Sequence, residues 1–200
     1  MTLDLPGFGS SPAPTVAGGA RLYAHDLLAP IQEITDLPVV LVGHSFGGKV
    51  ATVFAANQPT LVKALVLTGV PLVRTDGGAK PTLAFRVIRG LRAKGLVSER
   101  RMDAARQRYG SSDYRNSSGV MRDVLVAVVN ESYEDELGEI RAPIYMVWGA
   151  DETVASVADA ERATKYLRVP YSLRAVPGVG HFLPVEAPSE LVASVLEALA

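Results

Sequence analysis

Hydrophobic and polar positions follow two rhythms along this chain. Pro38–Val42 and Ala64–Thr68 are short, unbroken apolar runs rich in β-branched residues, the composition of strands buried on both faces. Phe46 to Asn57 between them reads as a helix that stops near Pro59, so about thirty residues predict a βαβ unit with a right-handed crossover. Upstream, Ala20, Ala24, Leu27, Leu28, Ile31 and Ile34 share one helical face, which predicts a helix over Gly19–Glu33. Pro30 should kink or interrupt it, because proline lacks a backbone donor and clashes with the preceding turn. Before that, Asp4-Leu5-Pro6-Gly7-Phe8-Gly9-Ser10 reads as the end of a buried strand followed by a glycine turn.

From Pro71 to about Ile140 the pattern is helical. Ala84, Val87, Ile88 and Leu91 fall on one face, and further pieces run over Ser98–Tyr109 and Ser117–Asn130. The α/β rhythm then resumes, with strands at Pro143–Trp148 and Tyr171–Val176 and helices at Ser156–Leu167 and Ser189–Ala200. The fold class is therefore α/β, a mostly parallel sheet flanked by helices. Residues 1–70 and 141–200 form the core, and residues 71–140 form a helical insertion.

Composition narrows the chemistry. The 200 residues are 48% apolar and 20% charged with a net charge of −1, so no global basic field points to nucleic acid or an anionic membrane. Cysteine is absent, which removes disulfides and thiolate catalysis together. Neither a secretory signal nor an apolar stretch long enough to cross a bilayer is legible, and a cytoplasmic protein is expected. One bias stands out: residues 74–108 hold ten Lys/Arg against three Asp/Glu. The solvated face of amphipathic helices explains it; a cationic rim favouring acidic substrates is the sharper reading.

Gly43-His44-Ser45-Phe46-Gly47-Gly48 lies between a predicted strand and a predicted helix, the setting a G-x-S-x-G elbow requires. The turn lifts the Ser45 hydroxyl off the sheet edge, and the helix start offers the Phe46 N–H as one oxyanion donor. A serine hydroxyl needs a base. Of the three histidines, His44 sits inside the elbow, packed beneath the turn, and His25 sits in the first helix. His181 follows the last strand in Gly178-Val179-Gly180-His181-Phe182, at the same edge of the sheet as Ser45. The acid that orients it belongs in Trp148-Gly149-Ala150-Asp151-Glu152, which offers two carboxylates.

These motifs resemble the α/β-hydrolase fold family, in particular its capped esterases and carbon–carbon bond hydrolases. D-L-P-G-F-G-S-S, G-H-S-F-G-G, the W-G-x-x-acid turn and G-x-G-H spread the resemblance along the whole chain. It implies Ser45 as nucleophile, His181 as base and Glu152 as acid, with Asp151 as the substitute. It also implies that residues 71–140 form a cap over a pocket walled by Phe46 and Phe182. Met102, Tyr109, Tyr114, Met121 and Val128 are either cap core or pocket lining, and Arg122 and Glu131 are either a pair or ordinary surface charges. The substrate would be a small molecule with an ester or activated carbonyl, and no metal or organic cofactor is called for.

In that family, three strands, a helix and an H-G loop carrying a second oxyanion donor precede the D-L-P-G turn. The resemblance therefore implies a longer enzyme, with reduced activity in this chain, or a non-catalytic relative that binds. It also implies that Pro38–Val42 forms an exposed apolar edge open to self-association.

Overall fold

The computed structural model describes residues 1–74, 87–88, 90–92, 94–98, 100–102, 104 and 117–200. The chain divides into two compact units. One comprises Met1–Ala17 with Thr75–Val129, and the other Gly18–Arg74 with Asn130–Ala200.

The second unit holds the sheet, whose strands β1 (Val39–His44), β2 (Val62–Thr68), β3 (Ile144–Gly149) and β4 (Tyr171–Val176) lie in that spatial order and pair in parallel throughout. Val42 aligns with Val66, Leu65 with Ile144, and Ile144 with Tyr171. Helices α1 (Ala20–Asp26), α2 (Leu28–Gln32) and α3 (Ser45–Asn57) precede or join β1 and β2. In the other unit α4 spans Gly119–Val128; α5 (Glu134–Glu139), α6 (Val157–Thr164), α7 (Leu183–Glu186) and α8 (Pro188–Leu199) complete the sheet unit.

The inner strands β2 and β3 are covered on both faces. Ala64 and Val66 of β2 pack against Ala198 of α8, with Val40, Tyr145, Leu191 and Val195 around them. Leu65 and Leu67, which alternate to the opposite face, are equally buried. β1 and β4 are the outer strands of this sheet, and Val42 of β1 is 47% exposed. Helix α6 starts on a capping box, in which Ser156 and Asp159 each bond the other's backbone N–H and so satisfy two donors at the helix start. Pro188 opens α8, where its missing N–H is no loss.

The stretch Gly19–Glu33 is helical and interrupted, as Pro30 leads one to expect: two helices part at Leu27. Pro30 has no N–H to offer the Asp26 carbonyl one turn back, so the break falls where the donor is missing. Ile34 lies beyond the second helix and is exposed. No strand forms in residues 1–5. Asp4 instead ties a turn, accepting from both the backbone N–H and the hydroxyl of Ser10 at 2.9 and 3.0 Å; those bonds hold its carboxyl below the usual range. In the 71–140 stretch, Val87 and Leu91 are exposed rather than buried. Met102 and Val128 are buried, Met121 is half-buried, and Tyr109 and Tyr114 lie outside the described residues, as does much of the basic run.

The sheet core predicts a contrast. Leu65→Ala, at a fully buried position, should cost about 2–5 kcal/mol. Val42→Ala on the outer strand should stay within roughly 0.5 kcal/mol. Urea midpoints at constant m-value check both.

Candidate active site

Ser45 sits where β1 ends and α3 begins, and it is the one non-glycine among the described residues with a left-handed backbone, at φ +50°. That conformation costs a non-glycine residue on the order of 1–3 kcal/mol, so the surroundings must impose it. Gly43 and Gly48 supply the constraint. A Cβ on Gly43 would stand 2.5 Å from the Gly48 Cα, and a Cβ on Gly48 would collide with the Val70 side chain. The turn closes only because both lack side chains. The flanking glycine of the motif, Gly47, meets nothing within 4 Å, so the steric demand falls on the third glycine.

The structure brings together three of the residues singled out from sequence, all within the sheet unit. Ser45 Oγ lies 3.2 Å from His181 Nε2, and Glu152 Oε2 lies 2.5 Å from His181 Nδ1. A carboxylate only accepts, so Nδ1 carries the ring proton and Nε2 turns its lone pair to the serine hydroxyl. The Glu152 side chain is 1% exposed. Its other oxygen accepts from the N–H groups of Val154 and Ala155 at 2.5 and 3.2 Å. Trp148, buried at the end of β3, donates from Nε1 to the Ala155 carbonyl at 2.6 Å and fixes the turn from below. Asp151 points away: its side chain is exposed, and only its backbone N–H bonds back, to the Val179 carbonyl at 2.9 Å.

The other candidates are also placed. Phe46 is the second residue of α3, at the helix's positive end, and its ring packs edge-on against Tyr23 at 5.0 Å. Phe182 is 61% exposed, its ring 5.3 Å from the His181 ring. His44 lies under the elbow, with Nε2 2.8 Å from the His181 carbonyl oxygen; burial holds its imidazole below the usual range, hence neutral. His25 is exposed beside Asp26.

Sequence reasoning missed three contributors. Gly69, just past β2, has φ +59°, and a Cβ there would stand 3.1 Å from Glu152 Oε2 and 3.2 Å from His181 Nδ1. Its only signal was a glycine closing an apolar run. Lys49, one helical turn past Ser45, is 5% exposed with Nζ 5.6 Å from the Tyr133 ring centroid. Burial pushes its ammonium down to about 8, against an opposing pull from Glu131. Glu131 accepts from the Tyr133 hydroxyl and the Ala20 N–H at 2.7 and 2.8 Å and faces Arg21 at 3.6 Å. Arg122, read as its partner or as an ordinary surface charge, donates to the Ser117 carbonyl from Nε and Nη2 at 3.0 and 2.6 Å. The third, Glu186, binds the histidine loop. Among the described residues no group of His, Asp and Glu could hold a metal ion, and no helix is long and apolar enough to cross a membrane.

A parallel sheet with a strained serine between strand and helix, facing a histidine and a buried carboxylate from later loops, defines the hydrolase-type α/β architecture. The profile described as "Alpha/beta hydrolase family" matches residues 1–195, and the chain belongs to that family. A 2-hydroxy-6-oxononadienedioate/2-hydroxy-6-oxononatrienedioate hydrolase of Cupriavidus pinatubonensis is 30% identical, over 76% of this chain and 59% of its own. Lipase LipV of Mycobacterium tuberculosis is 49% identical over 37% of this chain and 28% of its own. The chain thus spans less than two thirds of either relative. Among solved structures, a serine hydrolase involved in carbazole degradation shares the fold with a TM-score of 0.69 at 20% identity, covering 98% of this chain and 77% of that one.

Two outcomes follow from the missed residues. Gly69→Ala should lower stability by roughly 1–2 kcal/mol, the cost of a left-handed alanine, and displace the Glu152–His181 contact; thermal melts and a variant crystal structure would show both. Lys49 has a folded-state pKa depressed from 10.5 to about 8. Between those values the unfolded chain binds more protons, so this group makes stability rise with pH. Tyr133, whose phenol burial holds above its ordinary value of 10.0, acts oppositely only beyond that value. Urea titrations between about pH 8 and 10 should show a rise in the wild type that is smaller in Lys49→Met.

Proposed function

We propose that the chain is a serine hydrolase acting on an ester or an activated carbonyl, including a carbon–carbon bond next to a carbonyl. The observation that carries this reading is the unbroken hydrogen-bonded line from Glu152 through His181 to Ser45, with the serine on a strained turn. Ser45 Oγ attacks the carbonyl carbon while its proton passes to His181 Nε2. Glu152 stabilises the imidazolium through Nδ1–H without taking the proton. The negative charge moves to the substrate oxygen, where the Phe46 N–H at the start of α3 is the donor proposed to receive it. His181 then protonates the leaving group, which departs and leaves an acyl-serine. A water deprotonated by His181 hydrolyses that intermediate and restores the serine.

Other members of the family act on quite different substrates by their names, from a lipase to a hydrolase of an oxo-dienedioate. The exposed Phe182 ring beside His181 supports an apolar surface against the bound group. These steps use side chains, a backbone N–H and water alone, and a small-molecule substrate suffices. A binding role on the same scaffold is the competing outcome.

A fluorophosphonate should attach to Ser45 and fail to attach in Ser45→Ala; well-folded wild-type protein that stays unlabelled would favour the binding role. Glu152→Gln should lower kcat by about 10⁴-fold, as loss of the correct histidine tautomer does elsewhere. Asp151→Asn should change it less than about threefold, since ordinary surface substitutions are nearly neutral. Steady-state kinetics with an activated ester reads both, and the reverse order would reassign the acid.

A further inference from the structure

The loop carrying His181 is gripped at the peptide groups around the imidazole, and two of the anchors are side chains outside the triad. The Gly180 N–H donates to Glu186 Oε2 at 2.7 Å, and the Phe182 N–H donates to Glu186 Oε1 at 3.2 Å. One carboxylate therefore takes the amide before His181 and the amide after it. The His181 carbonyl accepts from His44 Nε2 at 2.8 Å, and the two imidazole rings lie 4.8 Å apart.

Both anchors follow from where helices begin. Phe182 is the N-cap of α7, so its N–H precedes the helix and has no intrahelical acceptor. Glu186, the fourth residue of α7, reaches back to accept it. Its second oxygen extends the grip across His181 to Gly180. His44 is the N-cap of α3, directly before Ser45, so its bond to the His181 carbonyl joins the nucleophile turn to the base loop independently of the triad. Regular structure does not hold this loop: Gly178 turns through φ +72°, and residues 179–182 precede the next helix. The Ser45–His181 distance of 3.2 Å is already at the long end for such a bond. A misplacement on the order of 1 Å can cost about 10²-fold in rate.

We propose that His44 and Glu186 are positioning residues: together they clamp the His181 backbone and set the distance from the base to Ser45. The role in catalysis rests on the serine-hydrolase reading; the clamp itself is geometric. His44 acts as an N–H donor, so glutamine, which also presents an N–H, can replace it in part, whereas phenylalanine keeps a ring and loses the donor. Glutamine at 186 presents one acceptor where two amides need one each, and sets its NH₂ against the other.

The test is proton NMR of the full chain beside fluorophosphonate labelling rates. The proton shared by His181 Nδ1 and Glu152 should give a strongly downfield resonance, assigned by its loss in Glu152→Gln. In His44→Phe and Glu186→Gln it should shift upfield or broaden. Labelling should slow by about 10–100-fold, with KM for an activated ester unchanged and melting temperatures close to wild type. His44→Gln should recover the resonance. If either variant unfolds, the other, together with Glu186→Asp, whose shorter carboxylate cannot span both amides, carries the same reading. Resonance and labelling rate unchanged in both His44→Phe and Glu186→Gln would overturn the clamp. So would equal losses in the His44→Gln and His44→Phe pair. A wild type that shows the resonance but never labels would sink the hydrolase reading and leave the clamp standing.

Discussion

The backbone of Ser45 is the constraint on which the site depends. A left-handed serine persists only where its neighbours over-determine it, and here the close approach of Gly43 to Gly48 does so. That approach in turn needs β1 and α3 joined without an intervening loop, which a parallel βαβ unit provides. Once the turn is closed, the hydroxyl stands off the sheet edge and the helix start lies beneath it. The other residues of the site are arranged to meet that point.

They meet it from separate loops at the same sheet edge, and each loop has its own fastening. The turn after β3, which carries Glu152, is held by Trp148 on the Ala155 carbonyl and by two N–H groups on Glu152. The loop after β4, which carries His181, is held by Glu186 and His44. Gly69 leaves room at the end of β2 for the contact between them. Such fastening matters because catalytic groups act through sub-ångström geometry, and loops have no ladder of their own to hold it. Beneath the elbow, a buried lysine and tyrosine and a half-buried glutamate link α3 to the segment before α5, at the cost of a partly desolvated charge.

Much of this was legible in the chain. β-branched runs mark strands because their side chains fit a pleated, packed surface, and β1 to β4 were read within a residue or two at their ends. Ser45 and His181 were legible because glycines flank them after apolar runs. Between Asp151 and Glu152 the choice came from family likeness; the physical reason became visible only with the Val154 and Ala155 amides in place. Gly69, Lys49 and Glu186 were not legible, since their partners lie far away in sequence or depend on how a turn closes. The strand read into the first residues failed for a related reason: an apolar stretch becomes a strand only beside a partner, and Asp4 finds its bonds within its own turn.

The most direct measurement is rapid-quench mass spectrometry of the protein mixed with an activated ester. One acyl group should appear on the peptide containing Ser45 and then decay by hydrolysis, and in Glu152→Gln its formation should slow sharply. Ester turnover with no acylated Ser45, or with equal turnover in Ser45→Ala, would contradict the account.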